Sequence, residues 1–77
     1  MIIDLYKSST CPQCRVVKMK LDKKGIVYNE HYIEDMDAAA LEEAGVRGIP
    51  TLIVDGEKLT DVGTINRWIN AQEAQNG

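Results

Sequence analysis

The chain has 77 residues, of which 44% are hydrophobic and 27% charged, and its formal net charge is −3 at pH 7. This length predicts one domain over residues 1–77, and the ordinary apolar fraction excludes a disordered chain and a membrane-spanning one. The low pI and the lack of aromatic residues among the basic ones exclude a nucleic-acid-binding surface. No secretory pattern precedes the first apolar run, so we expect a cytoplasmic protein in a reducing compartment.

The first predicted elements are a strand and a helix separated by a C-x-x-C motif. Apolar residues dominate positions 2–6 and predict the strand. The chain's two cysteines, Cys11 and Cys14, come next. Pro12 suits the first helical position because its missing N–H costs nothing there, which places Cys11 at the N-cap. Helical spacing of apolar residues then continues to about residue 24.

The remaining elements complete the order β-α-β-α-β-β-α. Apolar patterns and caps predict strand 27–33, helix 38–44, strands 51–54 and 57–59, and a last helix from about 61–64 to 71. Asp55-Gly56 is a strong signal for a tight hairpin turn. The helical crossover predicts that the first two strands are parallel, and the tight turn predicts that the last two are antiparallel.

The position of the C-x-x-C motif favours thiol chemistry over a structural staple. A disulfide across two intervening residues closes almost no loop, so it stabilises the fold only slightly. At the N-cap, unpaired N–H groups and the helix dipole stabilise an anion, which makes Cys11 the expected nucleophile. Cys14 lies one turn further along the buried face and is the expected resolving thiol, which attacks the mixed disulfide and releases reduced substrate.

Two motifs together resemble the glutaredoxin-like form of the thioredoxin fold. They are T-C-P-Q-C at Thr10–Cys14 and R-G-I-P-T at Arg47–Thr51. The resemblance implies an α/β fold, a four-stranded mixed sheet with helices on both faces, and thiol–disulfide oxidoreductase activity. It also implies that Ile49-Pro50 is a cis peptide facing the thiols, whose backbone pairs with an extended substrate.

The sequence departs from the standard glutaredoxin pattern at three points. Gln13 stands where that family usually has Tyr, and Ser8 stands where it usually has Lys, with Lys7 one position earlier. The Gly-Gly pair that helps to hold glutathione before the last helix is absent, which leaves Asp61 or Thr64 as substitutes. A glutathione-dependent glutaredoxin therefore stays an alternative.

Two features resemble instead the small redoxins that donate electrons to ribonucleotide reductase and are recycled by thioredoxin reductase. These are the C-x-Q-C motif and Arg47, three residues before the proline. The aromatic stretch that this group carries before its last helix is missing. We therefore expect a monomeric dithiol redoxin that reduces protein disulfides, with thioredoxin reductase or glutathione as reductant and no tightly bound cofactor.

Several residues around the motifs are candidates for substrate contacts. Gln13 is expected to tune the reduction potential of the thiols by hydrogen bonding near the thiolate. Basic side chains are candidates for contact with a carboxylate or an acidic partner. Besides Ile49 and Pro50, the candidate substrate-binding residues are Pro12, Gln13, Lys7, Arg15, Arg47 and Asp61.

Two alternatives stay open from the residues alone. The first is a zinc or iron–sulfur site. Such a site usually has four protein ligands, and it would need two chains here, because His31 is the only histidine and no third cysteine exists. The second concerns charge: residues 1–24 are mainly basic and residues 25–50 mainly acidic. These are either two solvated faces or a basic helix that attracts an acidic partner.

Overall fold

The computed structural model describes residues 1–73 and shows a four-stranded sheet in the order β2-β1-β3-β4. Residues 74–77 of the predicted domain lie outside the described part. The elements are β1 (Ile3–Lys7), α1 (Pro12–Lys23), β2 (Asn29–Tyr32), a 3-10 turn (Ile33–Asp35), α2 (Ala38–Ala44), β3 (Thr51–Val54), β4 (Glu57–Leu59) and α3 (Val62–Ala71). β1 pairs with β2 in parallel and with β3 antiparallel, and β3 pairs with β4 antiparallel. The predicted fold class and strand directions are confirmed.

One face of the sheet carries the hydrophobic core beneath α1 and α3. Alternate residues of β1 point to this face, and the apolar stripes of the two helices close over it. The buried cluster consists of Ile3, Leu5, Val17, Leu21, Ile26, Leu52, Leu59, Ile65 and Ile69. The opposite face carries Lys58, whose side chain lies against Gly45 at the end of α2. Helices therefore lie on both sides of the sheet, as the resemblance implies.

The second strand is shorter than its sequence pattern predicts. Residues 27–33 were expected to be extended, but only Asn29–Tyr32 pair with β1, and Ile33 begins the 3-10 turn. Val27 is 88% exposed. The reason is that β2 is an edge strand, so its length is set by its pairing with β1, and a β-branched side chain alone does not extend it.

The other predicted boundaries agree closely with the structure. α2, β3 and β4 have the predicted bounds, and α3 begins directly after its N-cap Asp61. Gly25 adopts a φ of 70° where α1 ends. Among the described residues, none of the helices has the length and apolar character to cross a membrane.

Candidate active site

The two thiols lie at the N-terminus of α1, where the local sequence places them. Cys11 is the N-cap, with an extended backbone (φ −94°, ψ 110°), and Pro12 occupies the first helical turn. The Sγ atom of Cys11 accepts a hydrogen bond from the backbone N–H of Cys14 over 3.1 Å. Both cysteines are free; Cys11 is half-buried and Cys14 is only 1% exposed. The arrangement offers one accessible sulfur with a second sulfur screened behind it.

The environment of Cys14 keeps it protonated at neutral pH. Burial raises the pKa of the Cys14 thiol to about 11, and its contact with Cys11 acts in the same direction. A hydrogen bond from the Ser8 backbone and the positive charge of Lys7 act the other way. Cys14 is therefore suited to act after Cys11, once a neighbouring disulfide has formed.

The thiols border a pocket of about 250 Å³ at the end of the sheet. Its walls combine hydroxyl groups, one aromatic ring and three cationic side chains. They are formed by Lys7, Ser8, Ser9, Arg15, Lys18 and Tyr32, together with both cysteines. The structure thus brings two of the predicted basic candidates, Lys7 and Arg15, to the cysteines, and the pocket is electropositive.

Lys7 has a different environment from the one expected of a partner contact. Its side chain is 8% exposed, and its Nζ lies 3.2 Å from the Glu30 carboxylate. The same ammonium lies 4.8 Å from the centre of the Tyr32 ring. The parallel register sets Leu5 opposite Glu30 and Lys7 opposite Tyr32, which puts these four side chains on one face of the sheet. The cation is held within the protein, at the inner wall of the pocket.

The carboxylate of Glu34 fixes the loop that precedes the thiols. It accepts hydrogen bonds from the Ser9 backbone N–H at 3.2 and 3.3 Å and a further one from the Ser9 hydroxyl. These bonds from Ser9 lower the pKa of Glu34. The sequence marked Glu30 and Glu34 only as members of an acidic segment. The role of Glu30 follows from the pairing of β2 with β1, and that of Glu34 from the 3-10 turn after β2. The available signal was one acidic residue within, and one directly after, a strand predicted to be parallel to β1.

The second motif forms the turn predicted from the resemblance. The Ile49-Pro50 peptide is cis, Pro50 is buried, and the Thr51 hydroxyl donates to the Gly48 carbonyl over 2.6 Å. Ile49 and the exposed Arg47 line a separate depression of about 90 Å³. These residues therefore do not share the walls of the cysteine pocket.

The other candidates occupy separate positions. Pro12 and Gln13 are exposed in the first turn of α1. Asp61 is the N-cap of α3, and its Oδ2 accepts hydrogen bonds from the Thr64 N–H and hydroxyl at 3.1 and 3.3 Å. Its carboxylate thus already stabilises a helix end.

His31 belongs to the sheet and lies outside the walls of the cysteine pocket. Its ring stacks on Tyr6 at 4.5 Å between centroids, and its Nε2 donates to Asp4 over 2.9 Å. Within residues 1–73, no cluster of three or more His, Cys, Asp or Glu side chains is arranged to hold a metal ion.

Comparison with known proteins assigns the family. Residues 3–59 match the family model described as Glutaredoxin. The chain belongs to the glutaredoxin family. With its free pair of thiols at the N-terminus of α1, this glutaredoxin-family protein is a thiol redox protein. No curated protein sequence matches it significantly.

Solved structures share the same architecture. The thioredoxin-like protein BC3987 is 28% identical, with a TM-score of 0.69 over 84% of this chain and 96% of that one. The glutaredoxin-like NrdH-redoxin from Escherichia coli is 25% identical, with a TM-score of 0.69 over 87% of this chain and 93% of that one. A buckwheat glutaredoxin–glutathione complex has a TM-score of 0.69 at 20% identity, covering 84% of this chain and 64% of that one. This last similarity concerns the fold alone.

Proposed function

We propose that this glutaredoxin-family protein is a dithiol–disulfide oxidoreductase that reduces protein disulfides through Cys11 and Cys14. The observation that carries the proposal is the pairing of an accessible sulfur at a helix N-cap with a second, buried sulfur one turn behind it. At the N-cap, the Cys14 N–H points at Cys11 Sγ over 3.1 Å. Such a donor stabilises the negative charge that an attacking thiolate carries.

The reaction proceeds in two exchanges. The Cys11 thiolate attacks one sulfur of the substrate disulfide, the S–S bond breaks, and the other substrate sulfur leaves with the bonding pair and takes up a proton. Cys14 then attacks Cys11 Sγ in the mixed disulfide. The Cys11–Cys14 disulfide forms, and the second substrate sulfur leaves with the bonding pair and the proton that Cys14 releases. A reductant finally returns both cysteines to thiols.

The substrate is proposed to lie along the exposed surface next to Cys11. Pro12 and Gln13 flank that thiol in the first turn, and the backbone of Ile49 before the cis Pro50 is the proposed clamp for an extended segment. Arg15 lines the cysteine pocket and is exposed, so it is the proposed contact for an acidic partner. Complexes of this kind are transient, which suits a monomeric cytoplasmic carrier.

Thioredoxin reductase is the proposed reductant, and an enzyme such as ribonucleotide reductase is the proposed acceptor. Support comes from the C-x-Q-C motif, from the missing glycine pair, and from the similarity to the NrdH-redoxin, which is described as having a thioredoxin-like activity profile. Asp61, the candidate for holding glutathione, already caps α3. Glutathione is the alternative reductant.

The experiment that tests the proposal follows NADPH oxidation with a protein disulfide as the final acceptor. One reaction contains thioredoxin reductase, the other glutathione with glutathione reductase, and Cys11→Ser serves as the inactive control. Turnover with thioredoxin reductase alone supports the proposal. Turnover only with glutathione replaces the reductant with the alternative, and no turnover with either system contradicts the proposed activity.

A further inference from the structure

A buried cation lies beside the resolving thiol. Lys7 ends β1 beneath the cysteine pocket, and its side chain is 8% exposed. After the hydrogen bond from the Ser8 backbone, which has the larger effect, the positive charge of Lys7 opposes the effect of burial on the ionisation of Cys14. In a poorly hydrated environment such a charge is screened less than an exposed one, because little water surrounds it.

Glu30 pairs with this cation without cancelling its charge. The partly exposed Glu30 carboxylate lies 3.2 Å from the buried Lys7 ammonium. The same carboxylate also lies 2.8 Å from Nζ of Lys18, which in turn pairs with Asp22 at 3.2 Å. Hydrogen bonds from Lys18, and secondarily from Lys7, lower the pKa of Glu30. Lys7, Glu30, Lys18 and Asp22 together carry no net charge. Because Glu30 is shared between two ammonium groups, it balances the charge of Lys7 only in part.

Among the charged groups around the pocket, Lys7 is the one whose charge can act on Cys14 with little screening by solvent. The titratable or charged neighbours are Cys11, Lys7, Arg15, Lys18 and Tyr32. Arg15 is exposed, so solvent screens its charge. The Lys18 ammonium is held among Glu30, Tyr28 and Asp22. Lys7 is the cation of the pocket that is itself buried.

Resting on the proposed function, we propose that Lys7 is a positioning residue for the second exchange: its ammonium group stabilises the negative charge on Cys14 Sγ as Cys14 attacks the mixed disulfide at Cys11. In this step the Cys11–substrate S–S bond breaks and the Cys11–Cys14 bond forms. The departing substrate sulfur receives the bonding pair and the proton from Cys14. Glu30 regulates the step by attenuating the charge of Lys7.

Two substitutions should have effects of opposite sign. Lys7→Met removes the cation and should raise the Cys14 pKa, so a smaller fraction of Cys14 is thiolate at neutral pH. For each unit by which the pKa rises, the thiolate fraction falls about tenfold and the intrinsic reactivity of the thiolate rises about threefold, so the second exchange should slow by about threefold per unit. Glu30→Gln removes the attenuating charge, should lower the Cys14 pKa and should make the second exchange faster by the same relation. A purely structural role for the pair predicts that both variants slow the reaction.

The two exchanges can be timed separately with an aromatic disulfide whose thiol product is coloured. Mixed with the reduced protein, it releases one coloured thiol when Cys11 attacks and a second when Cys14 closes the disulfide. Lys23→Met is the matched control, because Lys23 is an exposed lysine on α1 and the substitution removes the same charge. We expect Lys7→Met to slow only the second phase and Lys23→Met to leave both phases unchanged.

A pH titration of Cys14 distinguishes an electrostatic effect of Lys7 from a loss of folding stability, because lost stability alone does not shift the midpoint. The Cβ chemical shift of Cys14, followed by NMR in a Cys11→Ser background, should show a higher midpoint with Lys7→Met and a lower one with Glu30→Gln. Equal midpoints in all three proteins, or equal second phases, overturn the role of Lys7. Absence of the first phase in the parent protein overturns the proposed function itself, so the two failures are distinguishable.

Discussion

The backbone N–H of Cys14 donates its hydrogen bond to Sγ of Cys11, so the amide of the resolving residue supports the nucleophile. This bond is the N-cap interaction of α1, with a sulfur in the place where helices usually have a hydroxyl or carboxylate oxygen. Helix capping and activation of the thiol are therefore one interaction. A substitution that puts an oxygen in place of the Cys11 sulfur keeps an N-cap for the helix but removes the thiol that attacks the disulfide.

The first prediction concerns the order of the two thiols. Cys14→Ser should accumulate a mixed disulfide between Cys11 and the substrate, because the second exchange lacks its nucleophile. Cys11→Ser should form no adduct, since Cys14 is 1% exposed. Non-reducing electrophoresis and intact-mass spectrometry after mixing with substrate detect the adduct. An adduct on Cys14 in the Cys11→Ser protein would reverse the assigned roles.

The second prediction concerns stability at alkaline pH. The ordinary pKa of the thiol is 9.0 and burial raises that of Cys14 to about 11, so the unfolded chain loses this proton before the folded one does. Unfolding then releases a proton, and the reduced protein should lose roughly 2–3 kcal/mol of stability as the pH rises through this window. Urea unfolding at several pH values measures the loss.

Cys14→Ala is the control for that loss. Lysines and tyrosines also titrate in this range, but they are common to both proteins, so the difference between the two stability curves isolates Cys14. The variant should start lower, because a buried side chain is truncated, and should fall less steeply. Parallel curves for the two proteins contradict the assigned environment of Cys14.

The local features of the fold could be predicted because each depends on neighbours in sequence. Pro12 at the first helical position is what made Cys11 the expected N-cap. Asp55 and Gly56 both adopt positive φ, at 49° and 90°, as a tight hairpin turn of their type requires. These features depend on only a few neighbouring residues, so tertiary packing changes them little.

The surroundings of the thiols could not be predicted because they depend on strand register. Lys7 and Glu30 are distant in sequence and meet only because Leu5 stands opposite Glu30 in the parallel ladder. A shift of one residue would turn Glu30 to the other face. The sequence therefore identified the reacting sulfur atoms, whereas the charged groups around them could be identified only from the pairing of the strands.

The third prediction concerns the anchor of the loop before Cys11. Hydrogen bonds from Ser9 lower the pKa of Glu34, so its contribution to stability is present above about pH 4.5 and is lost as the pH falls through the lower folded pKa. Glu34→Gln should therefore flatten the acid limb of the stability curve. It should also speed hydrogen exchange at the Ser9 amide.

A matched substitution on α2 tests whether that effect is specific. Glu43 is exposed, and Glu43→Gln removes the same charge. This variant should keep the acid limb of the parent protein and the slow exchange at Ser9. If Glu34→Gln and Glu43→Gln give superimposable curves, the carboxylate of Glu34 does not anchor the loop.

The last prediction separates helix capping from glutathione binding at Asp61. Asp61 caps α3 through the Thr64 N–H at 3.1 Å, and Asp37 caps α2 through the Ala40 N–H at 2.8 Å. Asp61→Ala and Asp37→Ala should each cost about 1 kcal/mol of stability, the usual contribution of an N-cap, as measured by urea unfolding.

The two cap variants should also behave alike in the reductase assays. If Asp61 only caps α3, then its replacement lowers turnover no more than the replacement of Asp37 does, with either reductant. A selective rise in the KM for glutathione with Asp61→Ala, absent from Asp37→Ala, would show that the Asp61 carboxylate holds glutathione despite the missing glycine pair. That result would favour glutathione over thioredoxin reductase as the source of electrons.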